Sequence, residues 1–184
     1  MKHILKPALS LFLIAAITTA LLGFVYRLTL EPIENQHRQT KEITMREIMA
    51  GASSFRELEV SKTGSIVRVF EGLNGGNTEG YIIELSANGY SGTIEMMVGI
   101  SKAENEITGM RILRHSETPG LGAQAVRAAF YNRYNNRELN PLRVVKASPG
   151  ANEIEALTGA TITTRAITEA VNEAIEWYNG GGIR

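Results

Sequence analysis

The chain contains no cysteine. That excludes disulfides, thiolate-bound iron–sulfur clusters and c-type haem attachment. Histidine is scarce, and His3, His37 and His115 are too scattered to suggest a metal site, so no metal is expected. Neither sign of charge prevails, because 19 Lys and Arg balance 19 Asp and Glu. No clustered basic face stands out, so no nucleic-acid partner is expected. No acid–base pair is evident, and no catalytic residue is assigned. A redox role must therefore rest on an organic cofactor.

Charge is missing altogether from Pro7 to Tyr26. At about 1.5 Å per residue this stretch spans roughly 30 Å, the hydrocarbon thickness of a bilayer. Lys2 and Lys6 precede it; Arg27, Glu31 and Glu34 follow. The positive-inside rule puts the N-terminus in the cytoplasm and the rest of the chain outside. A cleaved signal peptide is the competing reading, but its apolar region would be unusually long and no A-x-A-like site follows it. The expectation is an uncleaved, single-pass anchor in the cytoplasmic (inner) membrane.

The remainder divides by period. Residues 1–30 read as the cytoplasmic N-terminus and anchor, 31–54 as a juxtamembrane helix, and 55–184 as an extracytoplasmic domain. Pro32 marks the exit from the membrane. A loosely amphipathic helix follows from Ile33 to Met49, with Ile33, Ile43, Ile48 and Met49 as its apolar points. Strands are expected at 65–70, 81–85, 92–100 and 107–114, with turns at Leu73–Thr78, Asn88-Gly89 and Glu104-Asn105. Short connections make an antiparallel meander. A helix is expected at Gly122–Tyr134, with Ala123, Val126, Ala129 and Phe130 on one side, and a short strand at Leu142–Lys146. The last helix runs from about Thr161 to Tyr178. Its expected apolar face is Ile162, Ala166, Ile167, Ala170, Val171, Ala174, Ile175 and Tyr178, against a wet face of Arg165, Glu169, Asn172, Glu173 and Glu176. Asn179-Gly180 is expected to cap it. The fold class is α+β: a single transmembrane helix, then an antiparallel sheet domain packed with helices.

Two strings carry the chemistry. Leu157-Thr158-Gly159-Ala160-Thr161-Ile162-Thr163-Thr164 crowds hydroxyls and small residues at a helix N-terminus. Unpaired N–H groups and the positive dipole end favour a phosphate there. An ordinary N-cap at Thr158 or Thr161 is the plainer reading. The Gly-Ala pair favours close approach of a bulky group. The second string is His115-Ser116-Glu117-Thr118-Pro119-Gly120-Leu121-Gly122. It reads either as a strand-to-helix connection or as a loop against a cofactor. Gly89-Tyr90-Ser91-Gly92 reads as a hairpin turn with a half-buried tyrosine, with a wall near the cofactor as the alternative.

Glu155-Ala-Leu-Thr-Gly-Ala-Thr161 resembles the flavinylation motif D-x-x-[ST]-G-A-T of the FMN-binding domain family. Glu155 keeps the motif's charge on a longer arm. The pattern is most similar to the RnfG proteins of the Rnf electron-transport complex, whose sisters are the NqrC proteins of the sodium-pumping NADH:quinone reductase. The resemblance implies FMN attached covalently to Thr161 by a phosphoester, installed from FAD by a separate metal-dependent flavin transferase. It implies cofactor contacts from Leu157, Thr158, Gly159, Ala160, Thr163 and Thr164, and from His115, Glu117, Thr118, Leu121 and Gly122. Leu121 would pack on the isoalloxazine ring, and Glu117 and Thr118 would bond its polar edge. It further implies an electron-carrier role within an Rnf-type complex that couples ferredoxin:NAD oxidoreduction to sodium or proton transport. The partners would be other integral and peripheral subunits, including a second membrane protein with covalent flavin. No turnover is expected from the isolated chain. A membrane-anchored assembly or regulatory protein without a redox role is the alternative.

Overall fold

The computed structural model describes residues 2–60 and 63–182. Helix α1 runs Lys2–Ile48. The strands are β1 (Ser54–Leu58), β2 (Ile66–Asn74), β3 (Asn77–Asn88), β4 (Thr93–Ser101) and β5 (Glu106–Arg114). A short helix α2 (Ala128–Tyr131) precedes β6 (Arg137–Glu138), β7 (Arg143–Val145) and β8 (Glu153–Glu155). Helix α3 (Thr161–Asn179) closes the domain. Two compact units result, Met1–Lys41 and Glu42–Arg184.

In the first unit, Leu5–Leu30 is long and apolar enough to cross a membrane, and none of it is buried within the molecule. Leu11, Phe12 and Leu22 are each over 70 % exposed. Side chains this apolar remain uncovered only where something other than water solvates them. The anchor and the juxtamembrane helix expected after Pro32 are one helix, which runs through the proline. A proline forfeits one i→i−4 bond, and the rest of a long helical ladder survives that loss.

In the second unit, β1 to β6 form one antiparallel sheet in sequence order, and β7 pairs β8 in parallel. The β2–β3 hairpin turns on Gly75 and Gly76, at φ 57° and 88°. Both residues of such a two-residue turn need positive φ, which glycine supplies without strain. The turn is thus shorter than the expected Leu73–Thr78. The next loop is longer than the Asn88-Gly89 dipeptide suggests, with residues 89–92 between β3 and β4.

The sheet is covered on both faces. Tyr81, Ile83, Leu85 and Ala87 of β3, with Ile94, Met96, Val98 and Ile100 of β4, face a core shared with Ile167, Ala170, Val171 and Ala174 of α3. Ile82 and Met97 face the other way, against Met45, Ile48, Met49 and Ala52. Two-sided burial explains the unbroken apolar runs in β3 and β4, where alternation would mark a half-wet sheet. Ile43, an expected apolar contact, is 59 % exposed instead.

The expected helix from Gly122 to Tyr134 is broken. A 3₁₀ turn spans Gly122–Val126, α2 follows, and another 3₁₀ turn spans Asn132–Tyr134. Arg127 is extended, at ψ 145°, and interrupts the ladder. Ala125, Phe130 and Tyr134 turn inward, while Val126 is 44 % exposed. Helix α3 follows its expected span, but its buried face differs. Thr163, Thr164 and Thr168 are buried, and Ile162 is exposed. Asn172 leaves the wet face by bonding both the N–H and the carbonyl of Leu142. Glu173 leaves it by accepting from the Ser65 N–H. The left-handed residue after α3 is Gly181 at φ 73°, not Gly180.

Glu71 of β2 is a buried carboxylate with a clear pH consequence. It accepts from Thr78 Oγ1 at 2.7 Å and pairs with Arg56. The bond from Thr78, then that from Arg56, holds its carboxyl below the ordinary carboxylate range. A depressed folded pKa contributes stability above the unfolded value, lost as pH falls through the folded one. The stability gap between wild type and Glu71→Gln should therefore shrink as pH falls from about 6 to about 3. Urea melts at both pH values check this; a gap that widens in acid would contradict it.

Candidate functional site

The site forms where three segments converge: the 89–92 loop, the 115–122 string and the first turn of α3. They line a cavity of about 440 Å³, within the roughly 300–1,000 Å³ range of small-molecule sites. Its walls are Tyr90, Glu117, Thr118, Leu121, Gly122, Gly159, Ala160, Thr161, Ile162 and Thr163.

The start of α3 explains which hydroxyls are available. Ala160 is the N-cap and offers no side-chain bond. Thr164, fully buried, donates to the Ala160 carbonyl and accepts from the Leu157 N–H, each at 3.1 Å. Thr163 donates to Glu117 Oε2 at 2.6 Å. Among the hydrogen bonds of the described residues, none uses the hydroxyl of Thr158 or Thr161. Thr161 lies in the cavity wall and Thr158 does not. One uncommitted hydroxyl therefore faces the cavity from this string. The N–H groups of the first helical turn have no preceding helical carbonyl to bond, so the same end of α3 offers donors to an anion.

Glycines let the strings meet. Gly159 sits at φ 74°, and a Cβ there would lie 2.9 Å from Leu121 Cδ2. Leu121 thus closes over Gly159 and joins the two strings. Leu121, Tyr90 and Ile162 are 44 %, 71 % and 56 % exposed. They rim the cavity with apolar surface suited to a flat ring.

Of the expected site residues, Glu117, Thr118, Leu121, Gly122, Gly159, Ala160, Thr161 and Thr163 meet at the cavity. Four do not. Leu157 packs against the main core. Thr158 is exposed away from the cavity. The Thr164 hydroxyl is spent inside the helix start. His115 Nδ1 accepts from the Glu117 N–H at 3.2 Å and lies outside the wall. Ile162 was missed, and Tyr90 entered only through the alternative reading of the 89–92 string as a wall near the cofactor. Tyr90 is not the half-buried turn residue expected, and an aromatic at a glycine-flanked hairpin tip was the signal for it. Ile162 precedes the buried pair Thr163 and Thr164, whose satisfied hydroxyls disguise the inward face. Among the described residues no His, Asp or Glu cluster could hold a metal ion.

This chain resembles known proteins over both units. Residues 89–176 match the FMN-binding domain, and residues 1–48 match the RnfG N-terminal region. The G subunit of the Na(+)-translocating ferredoxin:NAD(+) oxidoreductase complex of Acetobacterium woodii is 32 % identical, over 96 % of this chain and 92 % of that one. Its counterpart in the ion-translocating oxidoreductase complex of Methanosarcina acetivorans is 29 % identical, over 97 % and 96 %. That of the proton-translocating ferredoxin:NAD(+) oxidoreductase complex of Clostridium ljungdahlii is 31 % identical, over 87 % and 83 %. Among solved structures, NqrC of Shewanella oneidensis superposes with a TM-score of 0.54 at 20 % identity, over 70 % of this chain and 67 % of that one. The C subunit of the Na(+)-translocating NADH-quinone reductase of Parabacteroides distasonis gives a TM-score of 0.52 at 25 % identity, over 60 % of each.

Proposed function

The chain belongs to the RnfG family of ion-translocating oxidoreductase subunits, and on that premise we propose that it is the FMN-bearing electron carrier of an Rnf-type complex. The complex would couple ferredoxin:NAD oxidoreduction to movement of sodium ions or protons. The observation that carries this reading is Thr161 at the start of α3: of the threonines in the cavity wall, it is the one whose hydroxyl makes no hydrogen bond among those of the described residues.

FMN fits the residues present. The first-turn amides of α3 suit its phosphate, and Tyr90, Leu121 and Ile162 suit its ring. Thr161 supplies the oxygen for a phosphoester. A separate flavin transferase would join that oxygen to the FMN phosphorus of FAD, with AMP leaving and the hydroxyl proton released. Among the described residues no hydrogen bond joins a base to the Thr161 hydroxyl, so the chain would not catalyse its own loading. FMN supplies reversible two-electron chemistry when bound; the chain supplies position, an apolar rim and a retained charge. Covalent attachment prevents loss by dilution outside the cell.

Residues 1–30 would anchor the chain in the inner membrane with the N-terminus cytoplasmic. Residues 31–54 would form the juxtamembrane segment, and 55–184 the extracytoplasmic domain. The partners would be integral and peripheral subunits of the complex, a second covalent flavoprotein among them. The chain alone would turn over no substrate. Deleting it from its host should remove ferredoxin-dependent NAD reduction from the membranes, and re-expression should restore it. The absence of cysteine makes sidedness testable: Ala147→Cys, at an exposed position, should react with an impermeant maleimide added to intact spheroplasts. Retained activity in the deletion strain would contradict the electron-carrier reading, and a chain without flavin in which Thr161 has no role would favour the assembly-protein alternative.

A further inference from the structure

Glu117 is a carboxylate only 6 % exposed in the wall of this cavity. Oε1 accepts from the Ser91 N–H at 2.8 Å, and Oε2 accepts from Thr163 Oγ1 at 2.6 Å. Accepting at both oxygens is the pattern of an ionised carboxylate. Two glycines make room for it. A Cβ at Gly89 would lie 2.4 Å from Oε1, and one at Gly122 would lie 2.2 Å from Oε2. The side chain thus clamps the 89–92 loop to α3 and is fixed in place by both. Among the described residues that line the cavity, no Lys, Arg or His offsets its charge.

We propose that Glu117 places a fixed negative charge in the cavity wall that keeps the reduction potential of the held flavin low. The inference rests on the FMN reading above. Full reduction adds two electrons to the isoalloxazine with one or two protons. Where only one proton follows, the ring gains a negative charge. A cavity this small keeps every wall charge within a Debye length of about 8–10 Å, so salt screens the repulsion poorly. Glu117 is a positioning residue for the loop and helix, and a potential-setting charge for whatever they hold.

The test is a spectroelectrochemical titration of the flavinylated full chain. Glu117→Gln keeps the shape and can still accept from Ser91 and bond Thr163, but removes the charge. It should raise the potential by at least tenfold in the two-electron equilibrium constant, about 30 mV. Thr163→Val loosens the clamp and keeps the charge, so it should not raise the potential. An unchanged or lowered potential in Glu117→Gln, or the same rise in both variants, would overturn the proposal. If Glu117→Gln does not accumulate with flavin, Thr118→Lys decides. It adds a cation at the exposed rim and should also raise the potential, and no rise would overturn the proposal. A wild-type chain without bound flavin, seen before any titration, would instead mean that the FMN reading itself had failed.

Discussion

Thr161→Ala should yield a colourless denatured chain when made beside an active flavin transferase, whereas Thr161→Ser should remain yellow. The expected loss is complete, because the other hydroxyls of the string are bonded elsewhere or lie outside the cavity wall. Thr163 is bound to Glu117, Thr164 is buried in the helix start, and Thr158 lies outside the cavity wall. Stability should scarcely change, within about 0.5 kcal/mol. The Thr161 hydroxyl makes no bond among those of the described residues, the N-cap is Ala160, and alanine is the better helix former. Absorbance of the denatured chain and a thermal melt separate the two effects. Retained colour in the alanine variant would move the attachment point. A collapse in stability would make Thr161 a structural cap.

Gly122→Ala should cost far more than its single methyl suggests, about 2–4 kcal/mol. Gly122 is buried, and a Cβ there would lie 2.2 Å from Glu117 Oε2, 2.7 Å from Thr163 Oγ1 and 3.0 Å from Glu117 Cβ. The carboxylate must swing away and abandon two charge-assisted bonds while still buried, which is the costly case. Gly120→Ala makes the contrast. Gly120 sits at φ 79° with nothing within 4 Å of a new Cβ, so only the left-handed backbone is penalised, by about 1 kcal/mol. Denaturant midpoints should fall strongly for the first and slightly for the second. Flavin loading should fail in the first alone. Equal effects would mean that the clamp contributes nothing beyond the loop backbone.

Much of this arrangement was legible in the amino-acid order, for identifiable reasons. Helix α3 shows a 3.6-residue stripe long enough to survive three buried threonines. The meander of β2 to β5 shows because turn residues punctuate apolar runs. The elements that escaped lack such signals. Strands β6 and β8 are two and three residues long, too short for any period. Strand β1 carries charges on an edge. The break at Arg127 has no glycine or proline to announce it. At the site, the two strings were visible as strings, but their division of labour was not. That the Thr163 hydroxyl is spent depends on Glu117 reaching across 46 residues to it. That contact belongs to the tertiary fold and leaves no local trace. Tyr90 joins the cavity through the same carboxylate, which fixes its loop by the Ser91 N–H.

The most direct test of the central claim is to map the flavin on the chain purified from its own host membranes. Trypsin should release residues 147–165, between Lys146 and Arg165, which contain Thr158, Thr161, Thr163 and Thr164. Fragmentation of that peptide should place the mass of one FMN less one water on Thr161. An unmodified peptide, from a host shown to flavinylate other proteins, or the added mass on any of the other three threonines, would contradict it.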